Sequence, residues 1–149
     1  MDIEKFWTKL SKVDRFRLSS SCRKAPPSYP TRTGVGEVKV EQLDEETLTV
    51  FQKGKWIGGD DMAFTNVFCW KLNRKSGQLS LEHLRFGASR PVFLFDLILV
   101  DRGLLKSVRP HECKEDTYFG SVLFDEHYIQ LNWRIIGPSK SEMISQYYE

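Results

Sequence analysis

Residues 128–137 read Tyr-Ile-Gln-Leu-Asn-Trp-Arg-Ile-Ile-Gly, and their pattern is the clearest indication of the fold class. Apolar and polar side chains alternate along it, which is the pattern of a β-strand with one face in a core. The apolar face consists of Ile129, Leu131, Trp133 and Ile135, and the other face of Tyr128, Gln130, Asn132, Arg134 and Ile136. The polar face either meets solvent or lines a barrel lumen, where Asn132 and Arg134 would orient a ligand and Arg134 would favour an anionic group.

Similar alternation recurs along the chain and predicts further strands. They span residues 15–22, 37–43, 47–53, 62–72, 78–86, 91–100, 104–109, 117–124 and 143–148. Compact turns join them, and no helical pattern lies between them. We therefore predict an all-β domain whose antiparallel strands form an up-and-down barrel of about eight to ten strands, because closure removes exposed edges. A β-sandwich is the alternative. A barrel of this size can hold one small ligand in its lumen.

The beginning of the chain predicts a short amphipathic helix. Ile3, Phe6, Trp7 and Leu10 follow helical spacing, and Asp2 precedes them as an N-cap. A helix this short is not stable alone in water and has to pack on a surface. We expect it to close the core of the barrel.

The length of 149 residues predicts one domain, 1–149, with the helix in residues 1–12 and the barrel in residues 13–149. Residues 23–36 contain three prolines and two glycines, which predict a loop rather than a strand. A loop of this length is either a lid over a binding site or a variable insertion.

The composition argues against several classes of function. Net charge is +2 and the basic residues are scattered among acidic ones, so no nucleic-acid surface is predicted. No apolar run reaches the length of a membrane span and no secretory leader is recognisable, so we expect no membrane association. Cys22, Cys69 and Cys113 are odd in number and widely spaced, which predicts free thiols and a cytoplasmic location.

Chemically reactive side chains concentrate in residues 110–120, Pro-His-Glu-Cys-Lys-Glu-Asp-Thr-Tyr-Phe-Gly. His111, Cys113 and Asp116 are the residue types of a nucleophile, base and orienting carboxylate. Such groups usually come from distant segments, so catalysis by this trio is the minor hypothesis. His111 and Cys113 supply at most two zinc ligands, so we predict no metal, and no particular cofactor is indicated. Tyr118 can bury its ring and hydrogen-bond its hydroxyl to Asp116 or Arg134.

The second half of the chain resembles a known family. Its elements are Arg90-Pro91, then His111-x-Cys113-x-x-Asp116-x-Tyr118-x-Gly120, then Trp133-Arg134-Ile135-x-Gly137-Pro138-x-Lys140, and a closing Tyr147 or Tyr148. This pattern is similar to DUF6314, a family of short, mostly bacterial proteins of unknown function, over residues 86–148. The resemblance implies a calycin-like or lipocalin-like β-barrel. The family's Arg-Pro-Phe-His run appears here as Arg90-Pro91-Val92-Phe93, without the His.

These patterns predict a barrel that binds a small apolar or anionic molecule in its lumen without turnover. The predicted polar and aromatic lining consists of Arg90, His111, Asp116, Tyr118, Trp133, Arg134 and Lys140. One alternative is an enzyme on the same scaffold, with His111 or Asp116 as general base and Arg134 as anion stabiliser. The other is an interaction module that forms a homodimer through apolar outer strand faces and the N-terminal helix.

Overall fold

A computed structural model of the protein describes residues 2–22, 32–58, 62–138 and 141–149. Within these residues the chain forms one helix, α1, at Ile3–Leu10. The strands are β1 Arg15–Cys22, β2 Arg32–Asp44, β3 Thr47–Trp56, β4 Ala63–Asn73, β5 Gln78–His83, β6 Val92–Asp101, β7 Leu104–Ser107, β8 His111–Cys113, β9 Asp116–Phe124, β10 Ile129–Ile136 and β11 Ser141–Tyr148.

The strands form one antiparallel sheet that closes on itself. Each strand pairs with the next from β1 to β7, β7 pairs with β9, and the order continues through β10 and β11 back to β1. The short β8 pairs with β9 beside β7. The result is a closed up-and-down barrel of 10 strands, which confirms the predicted fold class and excludes the β-sandwich.

Strand β10 has the two faces that its sequence predicts. Ile129 and Leu131 are 0% and 1% exposed, and Trp133 is 7% exposed, so the apolar face packs in the barrel interior. Arg134 is exposed on the opposite face. Of the two alternatives for the polar face, the solvent-facing one is therefore correct.

Helix α1 closes one end of the barrel. The side chain of Asp2 accepts a hydrogen bond from Lys5 N at 2.9 Å, which confirms the predicted N-cap. Phe6 is fully buried, with its ring 5.1 Å from that of Phe124 and 5.7 Å from that of Trp70. The prediction that the helix closes the core is confirmed. Its apolar face packs inside the barrel, and the homodimer stays a prediction.

No helix in the described residues is long and apolar enough to span a membrane, since α1 has only eight residues.

Strand β2 begins at Arg32, so residues 32–36 are strand rather than the predicted loop. Residues 23–31 of that loop lie outside the described part of the chain. Of the two glycines that suggested a loop, Gly34 makes room for an aromatic ring, whereas a Cβ on Gly36 would overlap the backbone of Lys53. A Cβ on Gly34 would lie 2.8 Å from the ring of Phe64. Glycine inside a strand can mark such a close approach, and this interpretation was missed.

The end of the barrel opposite α1 is called the open end below. The connections between β5 and β6, residues 84–91, and between β7 and β9 through β8, residues 108–115, lie there. The family motif residues from 111 to 118 therefore belong to this end.

Candidate functional site

Inward-facing side chains differ in burial between the two halves of the barrel. Next to α1 they are fully covered, and Trp70, Leu79 and Ile129 are all 0% exposed. Toward the open end, side chains on the same inner face keep part of their surface accessible. They are Asn66, His83, Tyr118, Ile135, Glu142 and Ile144. The inner face toward the open end is therefore only partly covered, whereas the half next to α1 is closely packed.

Four polar side chains form a hydrogen-bonded group across the lumen, which we call the amide cluster. Gln52 Nε2 donates to Gln146 Oε1 and to Tyr148 Oη, both at 2.6 Å. Tyr148 Oη donates to Gln146 Oε1, and Asn66 Nδ2 donates to Gln52 Oε1 at 3.2 Å. Gln52 and Gln146 are 1% exposed and Tyr148 is fully buried. These three residues therefore form a buried floor beneath the partly exposed inner side chains.

Burial also decides the protonation of this floor. It raises the pKa of the Tyr148 phenol far above the ordinary value, because an ionised phenolate would lose its hydration. The hydrogen bond from Gln52 acts weakly in the opposite direction. The phenol stays neutral and can act as donor and acceptor in the same cluster.

The hairpin of β8 and β9 gathers four residues that the sequence singled out. His111 stands opposite Tyr118, and Cys113 stands opposite Asp116. Because side chains two positions apart share a face of a strand, all four lie on one face. Tyr118 also pairs with Ile135, which packs against the core, so this is the inner face.

Ring contacts connect this hairpin to Phe93 on β6. The rings of His111 and Phe93 are perpendicular and 4.7 Å apart, and His111 lies 6.1 Å from the Tyr118 ring at an angle of 22°. Burial raises the pKa of the Tyr118 phenol above its ordinary value, and Cys113 and Asp116 add to this shift. Tyr118 is therefore a neutral hydrogen-bond donor at physiological pH.

A second set of ring contacts is built around His83, which was not part of the predicted lining. His83 stands opposite Phe68 in the pairing of β4 with β5, and the two rings are stacked 4.7 Å apart. Phe68 meets Trp133 edge to face at 5.9 Å. Burial, and then the charge of Arg85, lowers the pKa of His83 below its ordinary value. The imidazole is therefore uncharged at neutral pH and behaves as an aromatic surface.

Arg134 does not belong to the lining. It lies between Trp133 and Ile135, both directed to the core, so strand alternation turns it outward and leaves it exposed. The sheet separates it from His111 and Asp116. The prediction that Arg134 faces the lumen is wrong, and so is the enzyme alternative in which it stabilises an anion beside those residues.

Two other predicted positions lie away from the inner wall. Arg90 is exposed in the connection 84–91, with its guanidinium carbon 5.5 Å from the centre of the Phe86 ring. It therefore belongs to the rim of the open end. Lys140 lies outside the described residues. Of the predicted lining, the structure brings together His111, Asp116, Tyr118 and Trp133 on the inner face.

The two halves of the sequence motif are in direct contact. Ile136 pairs with Thr117, which places Gly137 next to Asp116. A Cβ on Gly137 would overlap Asp116 Oδ1. Any larger residue at position 137 would displace that carboxylate, which gives a physical reason for the glycine.

The described residues contain no group of three His, Cys, Asp or Glu side chains placed to hold a metal ion. Cys69 and Cys113 are free thiols. Burial is the main cause that raises the pKa of the Cys69 thiol, so this buried residue is a poor nucleophile. Cys113 is the half-buried thiol on the inner face of the hairpin.

Sequence reasoning missed the amide cluster because its members come from distant strands. Gln52 and Gln146 are 94 residues apart in the chain. One signal was available, since alternation places Asn66 on the same face as Phe64 and Phe68. A polar residue on a face that enters a core usually has a hydrogen-bond partner there.

The comparison with solved structures finds the same fold in proteins of very different sequence. The S-type phycobiliprotein lyase CPES from Guillardia theta has a TM-score of 0.63 and 9% identity, over 99% of this chain and 90% of that chain. EF1p2_mFAP2b bound to DFHBI has a TM-score of 0.52 and 6% identity, over 99% of each chain. At such identities the likeness concerns the fold alone. Among curated proteins, none matches the chain significantly.

Comparison with family models extends the resemblance seen in the sequence. The matching model covers residues 14–149, which include all the strands of the barrel and both halves of the motif around Asp116 and Gly137. The match reaches much further toward the beginning of the chain than the motif residues alone. The chain therefore belongs to the family of unknown function DUF6314.

Proposed function

We propose that this protein binds a small, partly apolar molecule in the open half of its barrel. The observation that carries the proposal is the partial exposure of side chains that point into the lumen, above all His83 and Tyr118. Residues of the same inner face near α1 have no exposed surface. Space that remains inside a closed barrel, lined by rings and a few polar groups, is typical of a ligand pocket.

The lining favours an aromatic or otherwise flat apolar body. One wall presents the stacked His83 and Phe68 with Trp133, and the other presents His111 and Tyr118. Such rings give a large apolar contact area at a small cost in side-chain entropy. The lowered pKa of His83 and the raised pKa of Tyr118, both caused mainly by burial, keep these walls uncharged.

Charged groups of a ligand would stay near the rim. Arg85 is exposed, and its charge acts on both His83 and Tyr118, so it stands close to the open end of both walls. The charges of Asp116 and Glu142 raise the pKa of Tyr118, whereas the charge of Arg85 lowers it. An anionic substituent can therefore pair with Arg85 in contact with water, while the apolar body lies deeper.

The fold is compatible with this function. EF1p2_mFAP2b, which shares the barrel fold with this chain, is bound to DFHBI. The shared fold alone does not identify a ligand, because one fold serves many functions. The proposal therefore depends on the inner residues of this chain.

Native mass spectrometry of the protein purified from its own source tests the proposal. We expect a bound small molecule whose mass disappears after denaturation, and a Trp133→Ala variant should retain less of it than an Arg134→Ala variant. Trp133 faces inward and Arg134 outward on the same strand, so the pair is a matched control. A ligand-free mass together with no saturable binding of the probe 8-anilinonaphthalene-1-sulfonate would contradict the proposal. The same spectra test the homodimer, which stays a prediction.

A further inference from the structure

The hydrogen bonds of the amide cluster fix the orientation of each side-chain amide in it. Both bonds donated by Gln52 Nε2 point to Gln146 and Tyr148 on β11, so Gln52 Oε1 is turned the other way and accepts from Asn66 Nδ2. This arrangement determines how the amide of Asn66 is oriented. Its nitrogen faces Gln52, and its carbonyl oxygen, Oδ1, is left as an acceptor.

Asn66 is the member of the cluster that a ligand can reach. It is half-buried on the inner face of β4, whereas Gln52, Gln146 and Tyr148 have almost no exposed surface. Within the described part of the chain, its side chain makes only the hydrogen bond to Gln52. Asn66 therefore combines partial burial, a defined orientation and an acceptor oxygen that no described group uses.

We propose that Asn66 determines the specificity of the pocket, by accepting a hydrogen bond from a neutral O–H or N–H group at the inner end of the ligand. This inference rests on the proposed function, because it assigns the ligand class for the same pocket. A ligand without such a donor would leave Asn66 Oδ1 cut off from water, which is unfavourable.

The same depth of the lumen disfavours a charged inner end. Among the described residues, the inward positions near Asn66 include no Lys or Arg, and His83 is neutral because burial lowers its pKa. A carboxylate placed there would lose hydration without gaining a positive partner. Arg85 is exposed, so its charge lies at the rim and not beside Asn66.

Three naphthalene probes test this inference. 2-Naphthol carries an O–H donor, 2-methylnaphthalene has almost the same shape without one, and 2-naphthoate is charged. Dissociation constants come from NMR titrations that follow the tryptophan indole N–H signals. In the unmodified protein we expect 2-naphthol to bind more tightly than 2-naphthoate. In Asn66→Leu, the affinity for 2-naphthol relative to 2-methylnaphthalene should fall about five-fold, the size expected for one hydrogen bond.

Two further variants complete the experiment. Thr65→Val alters the exposed neighbour on the outer face of β4 and should leave the affinity ratio unchanged. Asn66→Thr keeps an oxygen that can donate to Gln52 Oε1 and accept from the ligand. It should retain the preference for 2-naphthol over 2-methylnaphthalene, which provides a test even if Asn66→Leu does not fold.

An unchanged ratio in Asn66→Leu, with both uncharged probes bound, would overturn the inference and leave the proposed function standing. Loss of the preference in Asn66→Thr, or tighter binding of 2-naphthoate than of 2-naphthol to the unmodified protein, would also overturn it. If none of the three probes binds the unmodified protein, the proposed function fails and the inference fails with it.

Discussion

The imidazole of His83 lies flat on the ring of Phe68, with the ring centres 4.7 Å apart and the planes inclined by 18°. Phe68 is 2% exposed, so the histidine covers a buried part of the barrel wall. Stacking on a buried ring removes water from one side of the imidazole. The charged form loses more hydration than the neutral form, which explains the direction of the pKa shift.

Protonation of His83 should weaken the fold. Its folded pKa lies below the ordinary 6.5, so the unfolded chain takes up the proton first as the pH falls. The stability that depends on the neutral ring is complete above the unfolded pKa and decreases as the pH falls toward the folded value. We expect His83→Phe to lose less stability than the unmodified protein between about pH 7.5 and about pH 5.5, measured by urea unfolding.

His127 provides the control for that prediction. It is exposed in the turn between β9 and β10, so His127→Gln should keep the pH dependence of the unmodified protein. If the free energy of unfolding changes equally with pH in His83→Phe and in the unmodified protein, the pKa of His83 does not differ between the folded and unfolded states.

Removal of the Tyr148 hydroxyl should destabilise the barrel. The hydroxyl accepts from Gln52 Nε2 and donates to Gln146 Oε1 in a fully buried site. Tyr148→Phe leaves both amides short of a partner, and we expect the free energy of unfolding to fall by about 1–3 kcal/mol. Tyr147→Phe, at the exposed neighbouring position, should change it by less than about 0.5 kcal/mol. Denaturant titration measures both, and equal effects would contradict the assigned role of the cluster.

Loss of the Tyr118 ring should weaken binding of the probe 8-anilinonaphthalene-1-sulfonate. Tyr118 faces the lumen and Phe119, next to it, faces outward, because residues along a strand alternate. Tyr118→Ala should lower the affinity about ten-fold, the effect of losing one buried ring contact. Phe119→Ala should leave it unchanged. Fluorescence titration measures both affinities. A larger loss of affinity in Phe119→Ala than in Tyr118→Ala would place the probe on the outer surface.

Helix α1 should contribute strongly to stability through Phe6. This fully buried ring packs against Trp70 and Phe124, so Phe6→Ala leaves a cavity and should lower the free energy of unfolding by about 3–5 kcal/mol. Thr8→Ala, on the exposed side of the same helix, should have an effect below about 0.5 kcal/mol. Thermal and denaturant unfolding provide the measurement. Similar losses of unfolding free energy in the two variants would mean that α1 does not close the core of the barrel.

The fold could be predicted because β-strand alternation is a local property. The order of side chains in residues 128–137 already separates Leu131 and Trp133 from Arg134, whichever strands lie beside them. The start of β2 could not be predicted in the same way. Gly34 and Gly36 have the composition of a loop. Only the ring of Phe64 on β4, for Gly34, and the backbone of Lys53 on β3, for Gly36, explain why small residues are required.

The candidate site was predicted in part for the same reason. His111 and Tyr118 come from one hairpin, so their proximity follows from a short stretch of sequence. His83 and Gln146 reach the site from strands far apart in the chain, and the pairings that bring them there are set by closure of the barrel. Arg134 was placed wrongly because the sequence alone left both orientations of its polar face open.

Helix α1 covers one end of the barrel, so a ligand in the proposed pocket would use the opposite end for both entry and exit. A molecule held between His83 and Tyr118 has to leave by the route through which it entered, so arrival and departure cross the same barrier. A change confined to the rim, such as loss of the contact between Arg90 and Phe86, should alter both rates by the same factor and leave the dissociation constant unchanged. For an uncharged ligand of the proposed pocket, the walls would set how tightly it is held, and the rim would set how fast it exchanges.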